Sequence, residues 1–221
     1  LQEIFDVNNP LSDIQNHAYS HDSFRFIPTR PDKKVLTSEE IEEEARKTSK
    51  LVYEIFNREC IGLRSPLGYY KGLEGEDETL WKLSDLGIKY VSTNLRDKNW
   101  GINPPLVEDG ELRQPSMYVN GMFEFPSHGW QDRAITGSKT VGVKDFPTTI
   151  PEILKHYTGV VDQAKKIYEN DSPVYVGLTF HPDSVGIYDP ELEFHSKLME
   201  YCKKENVLVS GYTDAYKRML P

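Results

Sequence analysis

The sequence has 221 residues, 38% of them apolar and 11% aromatic, which is enough to bury the core of one globular domain over residues 1–221. Its net charge of −9, with lysines and arginines dispersed among the acids, argues against a nucleic-acid partner. No apolar run is long enough to span a membrane, and the residues after Leu1 lack the pattern of a signal peptide. Cys60 and Cys202 are too few for a disulfide framework and are predicted to be buried thiols.

The first half of the chain is predicted to alternate helices with strands. Thr37 and Glu40 form a capping box that starts the first helix, and Gly87 stops the second. The predicted elements, in chain order, are a helix at 37–56, a buried strand at 60–66, a helix at 76–86 and a strand at 88–93.

The second half begins with a long region, residues 99–146, that is rich in glycine, proline and polar residues and contains one extended piece, SMYVNGMFEF. A second capping box, Thr149 with Glu152, then starts a helix. Predicted after it are a strand at 173–181, a helix at 189–205, a strand at 207–213 and a short last helix. Alternating strands and helices imply parallel pairing, so the class is α/β, as an open sheet or a barrel.

Four polar clusters follow or end these strands, where α/β folds collect their functional residues. They are His17 with His21, Arg64 with SPLGYY, SHGWQDR at 127–133, and His181 in LTFHPDS.

Taken singly, each cluster has two interpretations. Histidines four residues apart on a helical turn can both reach one metal ion, but unrelated surface or capping histidines give the same spacing. His181 can be catalytic or a satisfied core histidine, and Arg64 would need a carboxylate partner if buried. Trp130 and Asp132 can be functional or ordinary loop residues.

In chain order, the clusters resemble the motifs of the NodB-type polysaccharide deacetylases. HAYSH at 17–21 matches His-Ser/Thr-x-x-His, RSPLG at 64–68 matches Arg-x-Pro-x-Gly, and LTFHP at 178–182 matches the last motif, an apolar strand ending in Leu-x-His. The resemblance covers roughly residues 17–213 and implies a distorted (β/α) barrel of the NodB type.

The sequence departs from the family pattern in three places. Ala18 replaces the usual serine or threonine, and Trp130 and Asp132 in GWQD match the fourth motif with altered spacing. The first motif, an Asp-Asp pair at the end of the first strand, has no match, and only 16 residues precede His17. We interpret residues 1–13 as the tail of the first crossover helix and its turn, so the first strand of the fold is expected to be missing from this chain.

The resemblance implies hydrolysis of N-acetyl or O-acetyl groups on a sugar polymer such as peptidoglycan, chitin fragments or acetylated xylan. A divalent metal, with zinc favoured by the nitrogen ligands, would be held by His17, His21 and an aspartate upstream of the chain. With that third ligand absent, the chain alone is expected to be nearly inactive. By the same resemblance, an extracellular or cell-surface location is expected.

The resemblance also implies roles for the other clusters. Arg64 would hold a second upstream aspartate, the general base, and the backbone N–H of Leu67 would help to stabilise the oxyanion. His181, oriented by Asp132, would protonate the departing amine. Tyr69, Tyr70 and Trp130 are expected to be exposed and to stack on sugar rings.

Two alternatives stay open from the sequence. One is a small-molecule amidohydrolase similar to the metal-independent allantoinases, whose fold is the same. The other is a catalytically inactive carbohydrate-binding homologue, because the Asp-Asp pair is missing.

Overall fold

A computed structural model describes residues 12–136, 147–168 and 173–220. The described residues form two compact units. The first unit comprises residues 12–95, 115–125 and 210–220, and the second comprises residues 96–114 with the described part of 126–209. The expectation of one domain over residues 1–221 stays a prediction. In the described part of the chain, no helix is long and apolar enough to cross a membrane.

The helices are α1 (Ser38–Phe56), α2 (Asp77–Asp85), α3 (Ile150–Ile167), α4 (Pro182–Tyr188), α5 (Glu193–Lys204) and α6 (Tyr212–Met219). The strands are β1 (Gly62–Tyr69), β2 (Tyr90–Asn94), β3 (Val107–Glu108), β4 (Glu111–Leu112), β5 (Ser116–Met117) and β6 (Phe123–Glu124). The two capping boxes are confirmed at the starts of α1 and α3. The prediction missed α4, which begins directly after His181.

The first unit is built on a sheet with strand order β1-β2-β6-β5. The β1–β2 and β2–β6 pairs are parallel, and the β5–β6 hairpin adds an antiparallel edge. This confirms the α/β class with a parallel sheet. The described residues do not close into a barrel, and the part of the predicted N-terminal helix tail up to residue 11 lies outside them.

The strands predicted at 173–181 and 207–213 are wrong, because neither segment joins a regular ladder. Instead, the first segment accepts backbone hydrogen bonds from a loop, His128 N to Gly177 O at 2.7 Å and Asp132 N to Thr179 O at 3.4 Å. Helix α5 also begins later than predicted. The buried Asp189 carboxylate accepts from the backbone N–H groups of Phe194 and His195, and thereby caps this helix.

The carboxyl end of β1 is irregular at the RSPLG motif. Leu67 and Gly68 have positive φ values of 64° and 67°, and the register with β2 shifts between Arg64 and Tyr69. A Cβ at Gly68 would overlap the Leu95 side chain, so only glycine fits this approach. The bulge ends regular pairing at the motif that is expected to be functional.

A buried carboxylate ties the strands of the first unit together. Glu124, 3% exposed, accepts from the backbone N–H groups of Thr93 at 2.7 Å and Asn94 at 2.9 Å, and from the Tyr118 hydroxyl at 2.7 Å. It also accepts from the Thr93 hydroxyl. Burial raises the pKa of Glu124. Because four donors surround it, we assign this carboxylate a structural role.

Helices α3 and α5 enclose the core of the second unit. Its buried members are Ile135, Ile153, Tyr157, Val161, Phe194, Leu198 and Cys202. In the same unit, His128 is 1% exposed and binds two segments of the chain. Its Nε2 lies 2.8 Å from the Arg113 carbonyl, which can only accept, so Nε2 carries the proton and Nδ1 accepts from Gly177 N at 3.0 Å.

This arrangement predicts that the protein loses stability in mild acid. Burial lowers the pKa of His128 from 6.5 to about 4, so between these values the unfolded chain binds the proton more readily than the folded one. The free energy of unfolding should therefore fall as the pH drops from about 6.5 to about 4, by up to roughly 3 kcal/mol from this group. Urea unfolding at pH 7 and pH 5 measures the loss, which His128→Gln should reduce. The exposed His17→Gln is the control, and an equal pH dependence in wild type and His128→Gln would contradict the assignment.

Candidate functional site

The first predicted cluster lies along the edge of β1. Asn16 makes a parallel bridge to this strand, with Asn16 N donating to Gly62 O at 3.1 Å and Arg64 N donating to Asn16 O at 2.9 Å. His17 therefore follows directly beside Arg64. We call residues 17–21 the histidine loop.

The histidine loop is not the helical turn that the spacing predicted. Ala18 and His21 have positive φ values of 60° and 62°, and no residue of the loop is helical. The Asn16 side-chain oxygen accepts from Ala18 N at 2.9 Å, which turns the chain away from a helix. The helical part of that prediction is wrong.

The two imidazole rings nevertheless lie close together. Their centroids are 5.1 Å apart and their planes are 79° from parallel. Two imidazoles bound to one tetrahedral zinc ion at about 2.0–2.1 Å would have centroids about 5 Å apart. The separation therefore suits two ligands of one ion.

The hydrogen bond of His17 fixes its tautomer. Nδ1 lies 2.8 Å from the Arg64 carbonyl oxygen, which has no proton to give, so Nδ1 is the donor. In the neutral ring the lone pair then belongs to Nε2. Metal-binding histidines commonly donate their other ring N–H to a carbonyl in this way, which fixes the orientation of the ring.

Two histidines supply only part of a catalytic zinc site, which normally has three protein ligands. Within the described residues, no group of three histidine, cysteine, aspartate or glutamate side chains is placed to hold an ion. His17 and His21 thus fit two of the three ligand positions. The upstream aspartate ligand stays a prediction.

Arg64, expected to hold an aspartate, donates to a hydroxyl. Its guanidinium lies 2.9 Å from the Tyr212 hydroxyl at the start of α6 and 5.4 Å from the centre of that ring. Leu67, the predicted oxyanion donor, is half-buried in the β1 bulge with a left-handed backbone.

The predicted role of Tyr69 in stacking on sugar rings is wrong. Tyr69 is 0% exposed, its hydroxyl accepts from Phe24 N at 2.7 Å, and it donates to Pro66 O at 3.1 Å. The bulge in β1 turns this ring into the core, where it supports the RSPLG backbone. Tyr70 is half-buried.

In the second unit, the structure brings together Asp132 and His181, 49 residues apart in the sequence. His181 Nδ1 lies 2.6 Å from one carboxylate oxygen of Asp132, and His181 N donates to the other at 2.5 Å. Asp132 is fully buried, whereas the His181 side chain is 30% exposed. Because Nδ1 is held by the carboxylate, Nε2 is the atom through which the ring can exchange a proton.

Two residues of α3, which the sequence analysis missed, hold the loop that carries Asp132. His156 Nε2 accepts from Trp130 N at 3.0 Å, and the Tyr157 hydroxyl donates to Trp130 O at 2.5 Å. Burial lowers the pKa of His156, which favours the neutral ring that can accept. Both polar backbone groups of Trp130 are thus bound, and its side chain is half-buried. No sequence motif marks His156 or Tyr157, since neither lies near the loop along the chain.

We predict that Asp132 sets the tautomer of His181. An asparagine at 132 can turn an amide N–H toward Nδ1, so Asp132→Asn should shift His181 toward the Nε2–H tautomer. The ¹⁵N chemical shifts of the ring measure this directly. Asp183→Asn removes an exposed acid close to His181 in sequence and should change nothing. An unchanged tautomer in Asp132→Asn would refute the prediction.

Comparison with known proteins identifies relatives in fold only. No protein-family model matches the sequence, and no curated protein matches it. Solved structures that are similar include a GH57 branching enzyme from Thermococcus kodakaraensis crystallised with glucose, with a TM-score of 0.62 and 12% identity over 95% of this chain and 47% of that one. A proposed polysaccharide deacetylase from Mycobacterium smegmatis has a TM-score of 0.62 and 16% identity over 93% and 62%.

A GH57-type branching enzyme from Pyrococcus horikoshii is also similar, with a TM-score of 0.61 and 14% identity over 95% of this chain and 46% of that one. The chain thus spans about half the length of the branching enzymes and about three-fifths of the deacetylase. At such identities the likeness shows a shared fold. The chain therefore shares an α/β fold with these enzymes.

Proposed function

We propose that the protein is a metal-dependent hydrolase that removes acetyl groups from the sugars of a polymer, most simply N-acetyl groups of an amino sugar. The observation that carries this proposal is the histidine pair, whose rings are 5.1 Å apart and whose first member has its tautomer fixed by the Arg64 carbonyl. The order of the three sequence motifs and the fold shared with a proposed polysaccharide deacetylase support it.

The histidine pair would bind the ion through ring nitrogens, with Nε2 the lone-pair atom of His17. A divalent metal bound there would polarise the acetyl carbonyl and would lower the pKa of a nearby water molecule. The Leu67 N–H, in the β1 bulge, is a candidate donor to the carbonyl oxygen as it gains charge. Arg64 adds a positive charge beside the histidine loop.

The His181–Asp132 pair would supply the proton for the leaving amine. The Asp132 carboxylate holds Nδ1 of His181 and stabilises the positive charge of the protonated ring. The protonated His181 can then donate the proton on Nε2 to the amide nitrogen of the substrate as the C–N bond breaks. The half-buried Trp130 ring, whose backbone is bound by α3, is the candidate surface for a sugar.

Two buried carboxylates of the described residues are not available for glycoside hydrolysis, the alternative that the branching enzymes with this fold suggest. A glycosidase usually needs two carboxyl groups directed at the sugar bond. The buried Asp132 carboxylate is occupied by the N–H groups of His181, and Glu124 is surrounded by four donors. Neither of these two carboxylates is therefore available as a nucleophile or general acid.

The test is release of acetate from N-acetylglucosamine oligomers and from acetylated xylan, with protein expressed from its complete reading frame. With zinc present, we expect the protein to release acetate. EDTA should abolish this release, and added zinc should restore it. The double variant His17→Ala/His21→Ala should release no acetate. Hydrolysis of allantoin that survives EDTA would replace the proposal with an allantoinase-like activity. Oligosaccharide binding without acetate release would replace it with a binding function.

His181 should matter for turnover and not for metal affinity. Because general acid catalysis contributes about 10²–10⁴-fold, His181→Ala should lose rate by that order. Its zinc affinity, measured by calorimetry, should equal that of the wild type. His195→Gln is a matched control, since His195 also binds a buried aspartate through Nδ1. Parallel loss of zinc and rate in His181→Ala would make it a metal ligand.

A further inference from the structure

We propose that Glu44 of α1 is a positioning residue that holds the histidine loop in its metal-binding shape. This inference rests on the proposed metal site and deepens it, because it names a residue outside the sequence motifs on which the site depends. Glu44 lies 23 residues beyond His21 along the chain and is half-buried.

The contact is made by one carboxylate oxygen. Glu44 Oε2 accepts from the backbone N–H of Tyr19 at 2.8 Å and from that of Ser20 at 2.5 Å. These two residues lie between the histidines, so the carboxylate binds the middle of the loop. Successive backbone N–H groups that point to one anion form a concave binding site, and here a side chain of the same protein fills it.

The loop needs an external support because of its backbone. Ala18 and His21 are left-handed, a conformation that is unfavourable for a residue with a side chain. The loop is not helical, so helical hydrogen bonds do not hold the two rings at their separation. The energy that holds this shape must therefore come from groups outside the loop.

Helix α1 supplies that support both before the loop and within it. Before the loop, the Asn16 side chain is buried and donates to Ala45 O at 2.7 Å and to Ser49 Oγ at 2.8 Å. Within the loop, Glu44 binds the two N–H groups, and Lys47 Nζ lies 3.4 Å from the centre of the Tyr19 ring. Adjacent turns of one helix therefore fix the position of the loop.

Glu44 acts through the backbone and not as a metal ligand. The oxygen that faces the loop already accepts two hydrogen bonds, and in the part of the chain that the structure describes no third ligand joins the histidines. Without this carboxylate, the loop can relax to shapes in which the rings separate. Loss of a residue that orients metal ligands typically weakens metal binding about 10–100-fold.

The experiment compares zinc affinity, by calorimetry, in the full chain and three variants. Glu44→Ala should weaken zinc binding about 10–100-fold. Glu44→Gln should recover part of the loss, since its amide oxygen can still accept from both N–H groups. Glu43→Ala removes the same charge from the adjacent, exposed position and should bind zinc like the wild type. Equal weakening in Glu44→Ala and Glu43→Ala would show a general charge effect and overturn the inference.

A measurement without metal separates this inference from the proposed function. Amide hydrogen exchange at Tyr19 and Ser20 in the zinc-free protein should accelerate in Glu44→Ala and stay unchanged in Glu43→Ala. That result supports the positioning role even if the wild type binds no zinc and the proposed function fails. Unchanged exchange in Glu44→Ala overturns the role even if zinc binds and acetate is released.

Discussion

The arrangement of the first candidate cluster depends on one buried side chain, Asn16. Its backbone joins the edge of β1, its amide nitrogen binds α1, and its amide oxygen turns the chain at Ala18. A buried amide is tolerated only when its polar atoms are hydrogen-bonded. The bonds of Asn16 therefore fix the positions of β1, α1 and the histidine loop relative to one another. The position of His17 beside Arg64 follows from these bonds.

In the second unit, buried aspartates bind histidines in two different settings. Asp189 directs its carboxylate to the N-terminus of α5 and to His195, so the pair serves the start of a helix. Asp132 lies in a loop and uses both oxygens on His181, the residue before α4. The same aspartate–histidine contact can therefore serve different roles. The surrounding backbone distinguishes the helix-capping pair, Asp189–His195, from the candidate acid–base pair, Asp132–His181.

The same fold occurs in enzymes with different chemistry. Structures at 12% to 16% identity include both branching enzymes and a proposed deacetylase, so the fold alone supports more than one reaction on carbohydrates. The proposed deacetylation therefore rests on the side chains that each unit contains. The first unit contains the His17–His21 pair, and the second contains a histidine held by a buried carboxylate.

The sequence by itself determined the features that arise within a few residues. Capping boxes start α1 and α3, Gly87 follows α2, and the spacing of apolar residues gives β1 and β2. These signals are local, because helix caps and turns bond residues three or four apart. The order of the motifs also predicted five candidate site residues whose roles stay predictions, namely His17, His21, Arg64, Asp132 and His181.

Only the tertiary structure decided how those residues are held, since the deciding contacts join distant parts of the chain. The histidine loop avoids a helix because Asn16 and Glu44 bond its backbone, and Tyr69 is buried because β1 bulges. Arg64 meets Tyr212 across 148 residues. No local pattern encodes such pairs, because each depends on which surfaces the folded core brings together.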